Sequence, residues 1–269
     1  MSRLQRAEWD SGVDFPPRER LGSSLSWDQR THPQEVISWA LTRYGSLAMT
    51  SGFNLNGIVL IDMAVDVGYG GEVLFVDTGY HFGTTLELRG TLAARYPGLD
   101  FVTLSADRPD DRMFTRDPDR CCALRKVTPL VQYLRGRQPE ALLSGRSRDQ
   151  NGLRGALEFV ETGPERDRVN PLIHWGRDAL EAYAEARELP LNPLYREGFL
   201  SIGCAPCTRA VRVGEHSRAG RWSGRDKTEC GLWLEKTIMT CQIVPDPRQV
   251  AHSPEGVGWG GYHMSGGKR

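Results

Sequence analysis

The sequence predicts an α/β fold: a mostly parallel, doubly wound sheet flanked by helices. Short apolar runs recur at residues 46–50 (SLAMT), 73–76 (VLFV), 101–104 (FVTL) and 141–144 (ALLS), each the length of a buried strand. Stretches with helical periodicity separate them, and strands alternating with helices build parallel sheets. The chain has 269 residues, 39% apolar and 25% charged, enough for one sizeable domain with its own core.

Taken in order, residues 1–30 are rich in Arg, Ser, Pro and Gly and read as a weakly ordered arm. A helix begins after His32, where Pro33 suits the first turn and Val36, Ile37, Ala40 and Leu41 form a stripe. The run 46–50 leads through Ser51-Gly52-Phe53-Asn54 into a helix over 55–67. The run 73–76 ends in Asp77-Thr78-Gly79, followed by a helix over 82–96 and the strand 101–104. Residues 121–134 look helical, with a kink or restart expected at Pro129. The strand 141–144 opens into Gly145-Arg146-Ser147-Arg148-Asp149-Gln150. Residues 157–161 and 168–170 suit short strands, and Pro190 stops a helix over 179–189. From Arg212 onward Gly, Arg and Ser crowd out apolar residues, which predicts a flexible C-terminal segment over 212–269.

Charge narrows the function. Lys+Arg and Asp+Glu are equal at 34 each, so bulk attraction to nucleic acid or to an anionic membrane is not indicated. Any anion site must be built locally. No apolar run approaches the roughly 20 residues that span a bilayer, and no secretory segment is visible. A cytoplasmic location, where thiols stay reduced, is the expectation. Nothing in the sequence argues against a homo-oligomer.

In a doubly wound sheet, ligands bind beyond the carboxyl ends of the strands where strand order reverses. Ser51 and Gly52, before a helix, offer a hydroxyl and amides to an anion. Asp77, Thr78 and Gly79 could meet a ribose or adenine edge. The same residues are ordinary caps and turn formers. Arg146 and Arg148 place two forked donors on a third loop, as a sulfate or phosphate site or as a solvated basic loop.

All six cysteines fall after residue 120. Cys204-Ala205-Pro206-Cys207 is a C-x-x-C pair, and Cys121-Cys122 is a tandem pair. Together they read as one metal-binding set. Adjacent helical side chains diverge by about 100°, which strains a single tetrahedral ion more than a cuboidal cluster with spaced corners. Zinc, a thioredoxin-like C-x-x-C and buried inert thiols are the alternatives. Cys230 stands apart, preceded by Arg218, Arg221, Arg225 and Lys227. Nearby cations favour the thiolate, so it is a candidate nucleophile or else an idle surface thiol. Cys241 has no such setting.

VLFVDTG (73–79), CCALRK (121–126), GRSRDQ (145–150), IGCAPCTR (202–209) and ECGL (229–232) occur in one order. Their combination resembles the assimilatory adenylyl-sulfate reductases, within the phosphoadenylyl-sulfate reductase family, over about residues 46–234. The resemblance implies a fold like the adenine nucleotide alpha hydrolases, related to ATP pyrophosphatases. It implies a nucleotide-binding and iron–sulfur domain over 31–211, with a [4Fe–4S] cluster on Cys121, Cys122, Cys204 and Cys207. Cys230 is implied as the nucleophile that attacks adenylyl sulfate, expels AMP and holds an S-sulfonate. Thioredoxin or a glutaredoxin-like dithiol then releases sulfite. Lys126 is expected between cluster and substrate, with Arg148, Arg218 and Arg221 on the anionic oxygens. Two positions depart from the family's habit: Gly57, where relatives often carry an acidic residue, and Trp233, where they often carry His. The 3′-phosphorylated substrate is the near alternative. A non-redox nucleotide-binding protein with a structural metal is the distant one.

Overall fold

The computed structural model describes residues 27–106 and 110–232. The expectations for residues 1–26, Trp233, Cys241 and the rest of 233–269 lie outside the described residues.

The first helix, α1 (Pro33–Arg43), starts where capping chemistry puts it. The His32 side chain accepts from Gln34 N, and Glu35 reaches back to the His32 amide at 3.1 Å. The expected strands follow: β1 (Leu47–Thr50), β2 (Glu72–Asp77), β3 (Asp100–Ser105) and β4 (Ala141–Ser144). Two short ones, β5 (Val160–Glu161) and β6 (Asp167–Val169), complete one sheet of order β3-β2-β1-β4-β6-β5. Every pairing is parallel except β5 with β6, an antiparallel edge.

Helices cover both faces, unequally. Alternating strand residues Met49, Val73, Phe75 and Leu143 join the core under α1, α2 (Leu55–Asp66), α3 (Gly83–Arg95) and α7 (Arg177–Ala186). Their neighbours Ala48, Leu74 and Leu142 face the other way, onto Val127, Leu130, Val131 and Leu134. That second layer comes from a single helical stretch. It comprises α4 (Met113–Arg116), α5 (Pro118–Cys122), one π turn (Ala123–Val127) and α6 (Thr128–Arg137). The break expected at Pro129 therefore takes another form. Pro129 sits in the first turn of α6, directly after the π turn, which takes up the irregularity.

Strand order reverses at β1. The chain runs outward through β2 and β3, then returns to place β4 on the other side of β1. The β1–α2 loop and the β4 loop consequently diverge from adjacent strand ends and open a cleft between them. They approach closely at its base: a Cβ on Gly145 would stand 3.1 Å from the Asn56 carbonyl oxygen. Asn56 Nδ2 also donates to Ser147 Oγ at 3.2 Å, tying the loops together. Among the described residues, no helix is long and apolar enough to cross a membrane.

Candidate active site

The cleft at the switch point has a volume of about 210 Å³. Ser51 and Gly52 line its β1 side, as expected. Ser51 Oγ accepts from Phe53 N at 3.1 Å, fixing a turn in which Phe53 takes the left-handed conformation (φ 51°) and buries its ring against Phe75. Two of the first amides of α2 are already engaged, Leu55 N with Tyr195 Oη and Gly57 N with Asn54 Oδ1. A Cβ at Gly57 would overlap Ser51 Oγ, so a larger residue there requires a different β1 loop.

Cations line the opposite wall. Lys126, Arg218 and Arg221 all face the cleft, as does Cys230. Lys126 is delivered by the π turn, which shifts the helical phase just after the tandem cysteines. Burial opposes its charge, but the sulfurs of Cys204, Cys230 and Cys122 around it hold its pKa above the ordinary lysine value. Arg218 is pushed down to about 10, first by burial and then by Arg154, with Glu229 opposing. This crowding of like charge favours an anionic occupant.

The second hollow lies on the far side of Lys126. Cys121, Cys122, Cys204 and Cys207 line it together with Thr78, Tyr80 and Arg125. Local pairing explains how two distant sequence segments meet there. His81 and Cys204 form an antiparallel bridge, Ala205 N donates to Tyr80 O at 2.7 Å, and Thr78 Oγ lies 3.2 Å from Cys204 Sγ. All five cysteines of the described residues are free thiols. Burial pushes Cys121 up to about 11 and Cys122 up to about 12. Cys204 is drawn below the usual thiol range: burial raises it, but Lys126, the Thr78 hydroxyl and Arg221 outweigh that. Among the described residues, no three His, Cys, Asp or Glu side chains converge on a point one metal ion would occupy.

Other expected residues are placed differently. Asp77 closes its own turn on Gly79 N at 2.9 Å, and Thr78 faces the cysteines, so this loop serves the thiol pocket rather than the cleft. Arg146 lines the cleft floor, yet its guanidinium is bound to Ser144, Glu161 and Asn170. Burial and the neighbouring Arg168 push it down to about 9. Arg148 turns away from the cleft altogether. Its Nε donates to Leu157 O at 2.8 Å, and it lines an outer groove with Trp27 and His174. The sequence reading overlooked Arg154, Trp222 and His81. Trp222 is buried and lines both hollows, with Arg221 over its ring at 4.4 Å. His81, pushed down to about 4 by burial and then by Lys126, donates from Nε2 to Val76 O at 3.0 Å. Within the expected C-terminal segment, residues 212–232 run as turns across the site, held by Trp222 N on Cys207 O and Arg209 N on Gly220 O.

A family model described as the phosphoadenosine phosphosulfate reductase domain matches residues 46–210, more than half of the chain. The chain belongs to the phosphoadenosine phosphosulfate reductase family. An adenosine 5′-phosphosulfate reductase of Deinococcus radiodurans is 57% identical over 223 residues, covering 81% of this chain and 88% of that one. The crystal structure of the phosphoadenylyl-sulfate reductase from Candida auris, in a phosphate complex, superposes with a TM-score of 0.60 at 27% identity. It covers 70% of this chain and 100% of that one. Candida glabrata FMN adenylyltransferase shares the fold alone, with a TM-score of 0.51 at 15% identity over 64% of this chain and 61% of that one. The family's sheet and cleft thus agree with the adenine nucleotide alpha hydrolase-like architecture expected from the sequence.

Proposed function

We propose that the protein reduces adenylyl sulfate to sulfite and AMP, with Cys230 as nucleophile and a thioredoxin- or glutaredoxin-like dithiol as reductant. The observation that carries this reading is the placement of Cys230 in the cation-lined cleft, across Lys126 from the four other thiols. The curated Deinococcus relative bears the adenosine 5′-phosphosulfate reductase name, which favours the unphosphorylated ribose.

The chemistry balances without an added cofactor step. The Cys230 thiolate attacks the sulfuryl sulfur, the bond from sulfur to the phosphate oxygen breaks, and AMP leaves with the electron pair. Lys126, Arg218 and Arg221 screen the approach of one anion to another and neutralise charge developing on the departing phosphate. A reductant thiolate then attacks Cys230 Sγ and displaces sulfite. The second reductant thiol resolves the mixed disulfide, so the dithiol is oxidised by two electrons and Cys230 returns as a thiolate.

Cys121, Cys122, Cys204 and Cys207, which line one hollow, would hold a [4Fe–4S] cluster with one thiolate for each iron. When bound, such a cluster supplies a rigid scaffold and a local field beside the substrate anion. Lys126 borders both hollows and is the residue through which that field would reach the sulfuryl group.

Turnover by anaerobically purified protein, compared on adenylyl sulfate and its 3′-phosphorylated form with a dithiol reductant, tests the proposal. The expected result is sulfite and AMP, with the higher kcat/KM on adenylyl sulfate. Absence of sulfite from either substrate by iron-loaded protein would overturn it.

A further inference from the structure

Glu229 directly precedes Cys230, and its carboxylate is gripped on three sides. Arg154 Nε donates to Oε1 at 2.8 Å and Arg154 Nη2 to Oε2 at 2.9 Å, a bidentate fork. Asn151 Nδ2 donates to Oε1 at 2.7 Å. Arg218 lies 3.8 Å from the same oxygen and donates to Thr228 O at 3.0 Å. The Arg154 and Glu229 side chains are only 11% and 16% exposed, so solvent screens the pair weakly.

The grip is anchored in the cleft itself. Asn151 caps the short turn Gly152–Arg154 by accepting from Arg154 N at 3.0 Å, so both donors share one rigid element. Gln150 accepts from Arg154 Nη1, fixing the guanidinium's outer side. This element continues the β4 loop that forms one side of the switch-point cleft. On the other side of Cys230, Leu232 packs on the apolar cluster of Val127 and Leu130. The cysteine is therefore suspended between a charged clamp and a small apolar contact.

We propose that Arg154 and Asn151 form a latch on Glu229 that seats Cys230 in the cleft, which makes Arg154 a positioning residue for attack on the substrate. This rests on Cys230 being the nucleophile. The two half-reactions ask opposite things of the latch. Attack on the sulfuryl group needs Cys230 held over the substrate. Release of sulfite needs the same sulfur exposed to a protein-sized reductant, so the Arg154–Glu229 pair must part. Loosening the latch slows the first half and spares the second.

The test compares wild type with Arg154→Gln, Glu229→Gln and the double variant, all as iron-loaded full-length protein. Peptide-resolved alkylation of Cys230 without substrate should be about tenfold faster in Arg154→Gln, at least as fast in Glu229→Gln, and no faster in the double variant than in Glu229→Gln alone, because the Arg154–Glu229 fork is broken in all three. S-sulfonate formation should slow by about 10- to 100-fold, in line with loss of a charge-assisted fork, while dithiol-driven sulfite release from preformed adduct keeps or exceeds its wild-type rate. Arg154→Lys, which keeps the charge without the fork, should lie between. Unchanged Cys230 alkylation in the Glu229→Gln variant, whose side chain is isosteric, would overturn the latch. Additive effects in the double variant, or equal slowing of both half-reactions, would do the same. Alkylation needs no substrate, so it reads the latch even if Cys230→Ser turns over normally and the nucleophile assignment fails.

Discussion

The switch-point cleft and the four-thiol pocket share Lys126, Arg221 and Trp222 as a common wall, but they are built to hold different things. Loops after β1 and β4, a row of cations and one half-buried thiol form the cleft. Its neighbour is lined by four sulfurs, two on α5, one on Cys204 where it bridges to His81, and one on the turn Ala205–Cys207, which is pinned to the β2–α3 loop by Ala205 N on Tyr80 O. The difference lies in how each cysteine is held. Secondary structure positions the four, whereas side-chain contacts position Cys230. A sulfur proposed first to attack the substrate and then to be attacked by the reductant belongs on the adjustable mounting.

The largest effects should separate the two regions cleanly. Cys230→Ser should bring sulfite production to background and leave bound iron and visible absorbance at wild-type levels. Cys204→Ser should lose iron and colour together with activity, since the proposed cluster would lose one thiolate ligand. If both variants lost iron alike, the division of labour between the cavities would be wrong. Lys126→Met strikes the shared wall. It should slow S-sulfonate formation by about 100- to 1000-fold, the scale of removing one preorganised charge from an anionic transition state, and perturb the visible spectrum.

Smaller effects test the cleft alone. Arg218→Ala and Arg221→Ala should each lower kcat/KM by about 10- to 100-fold, the range for a hydrogen bond to a charged group. Neither should change iron content. Arg148→Ala should alter kcat/KM by less than about threefold and cost about 1 kcal/mol of stability, measured by thermal melting, for its lost bond to Leu157 O.

Arg148 also shows where the sequence was legible and where it was not. The central strands at 46–50, 73–76 and 141–144 were readable because both sheet faces are covered there and their middles are apolar, while Phe101, Val102 and Leu104 marked the half-exposed edge strand. Both cysteine pairs and the cations beside Cys230 were readable from residue type and spacing. Arg148 and Arg154 were not distinguishable, because two short 3₁₀ turns between them reorient the chain: the first points outward, the second inward. Arg154 also acts through Glu229, 75 residues away, a separation that no local pattern encodes. The π turn was hidden by Pro129, whose presence predicts a break at the proline instead of a turn that starts six residues earlier. Asp77-Thr78-Gly79 resembled a nucleotide loop, but its direction depends on pairing with Cys204, which only the tertiary fold supplies.

The central claim is that Cys230, and not any of the other four described thiols, takes the sulfuryl group. Intact-mass measurement after adding adenylyl sulfate without reductant tests it directly. The expected result is a gain of one sulfonate on wild-type protein, mapped to the peptide bearing Cys230, discharged as sulfite by a dithiol and absent from Cys230→Ser. No adduct on the wild type, or an adduct of equal yield on Cys230→Ser, would contradict it.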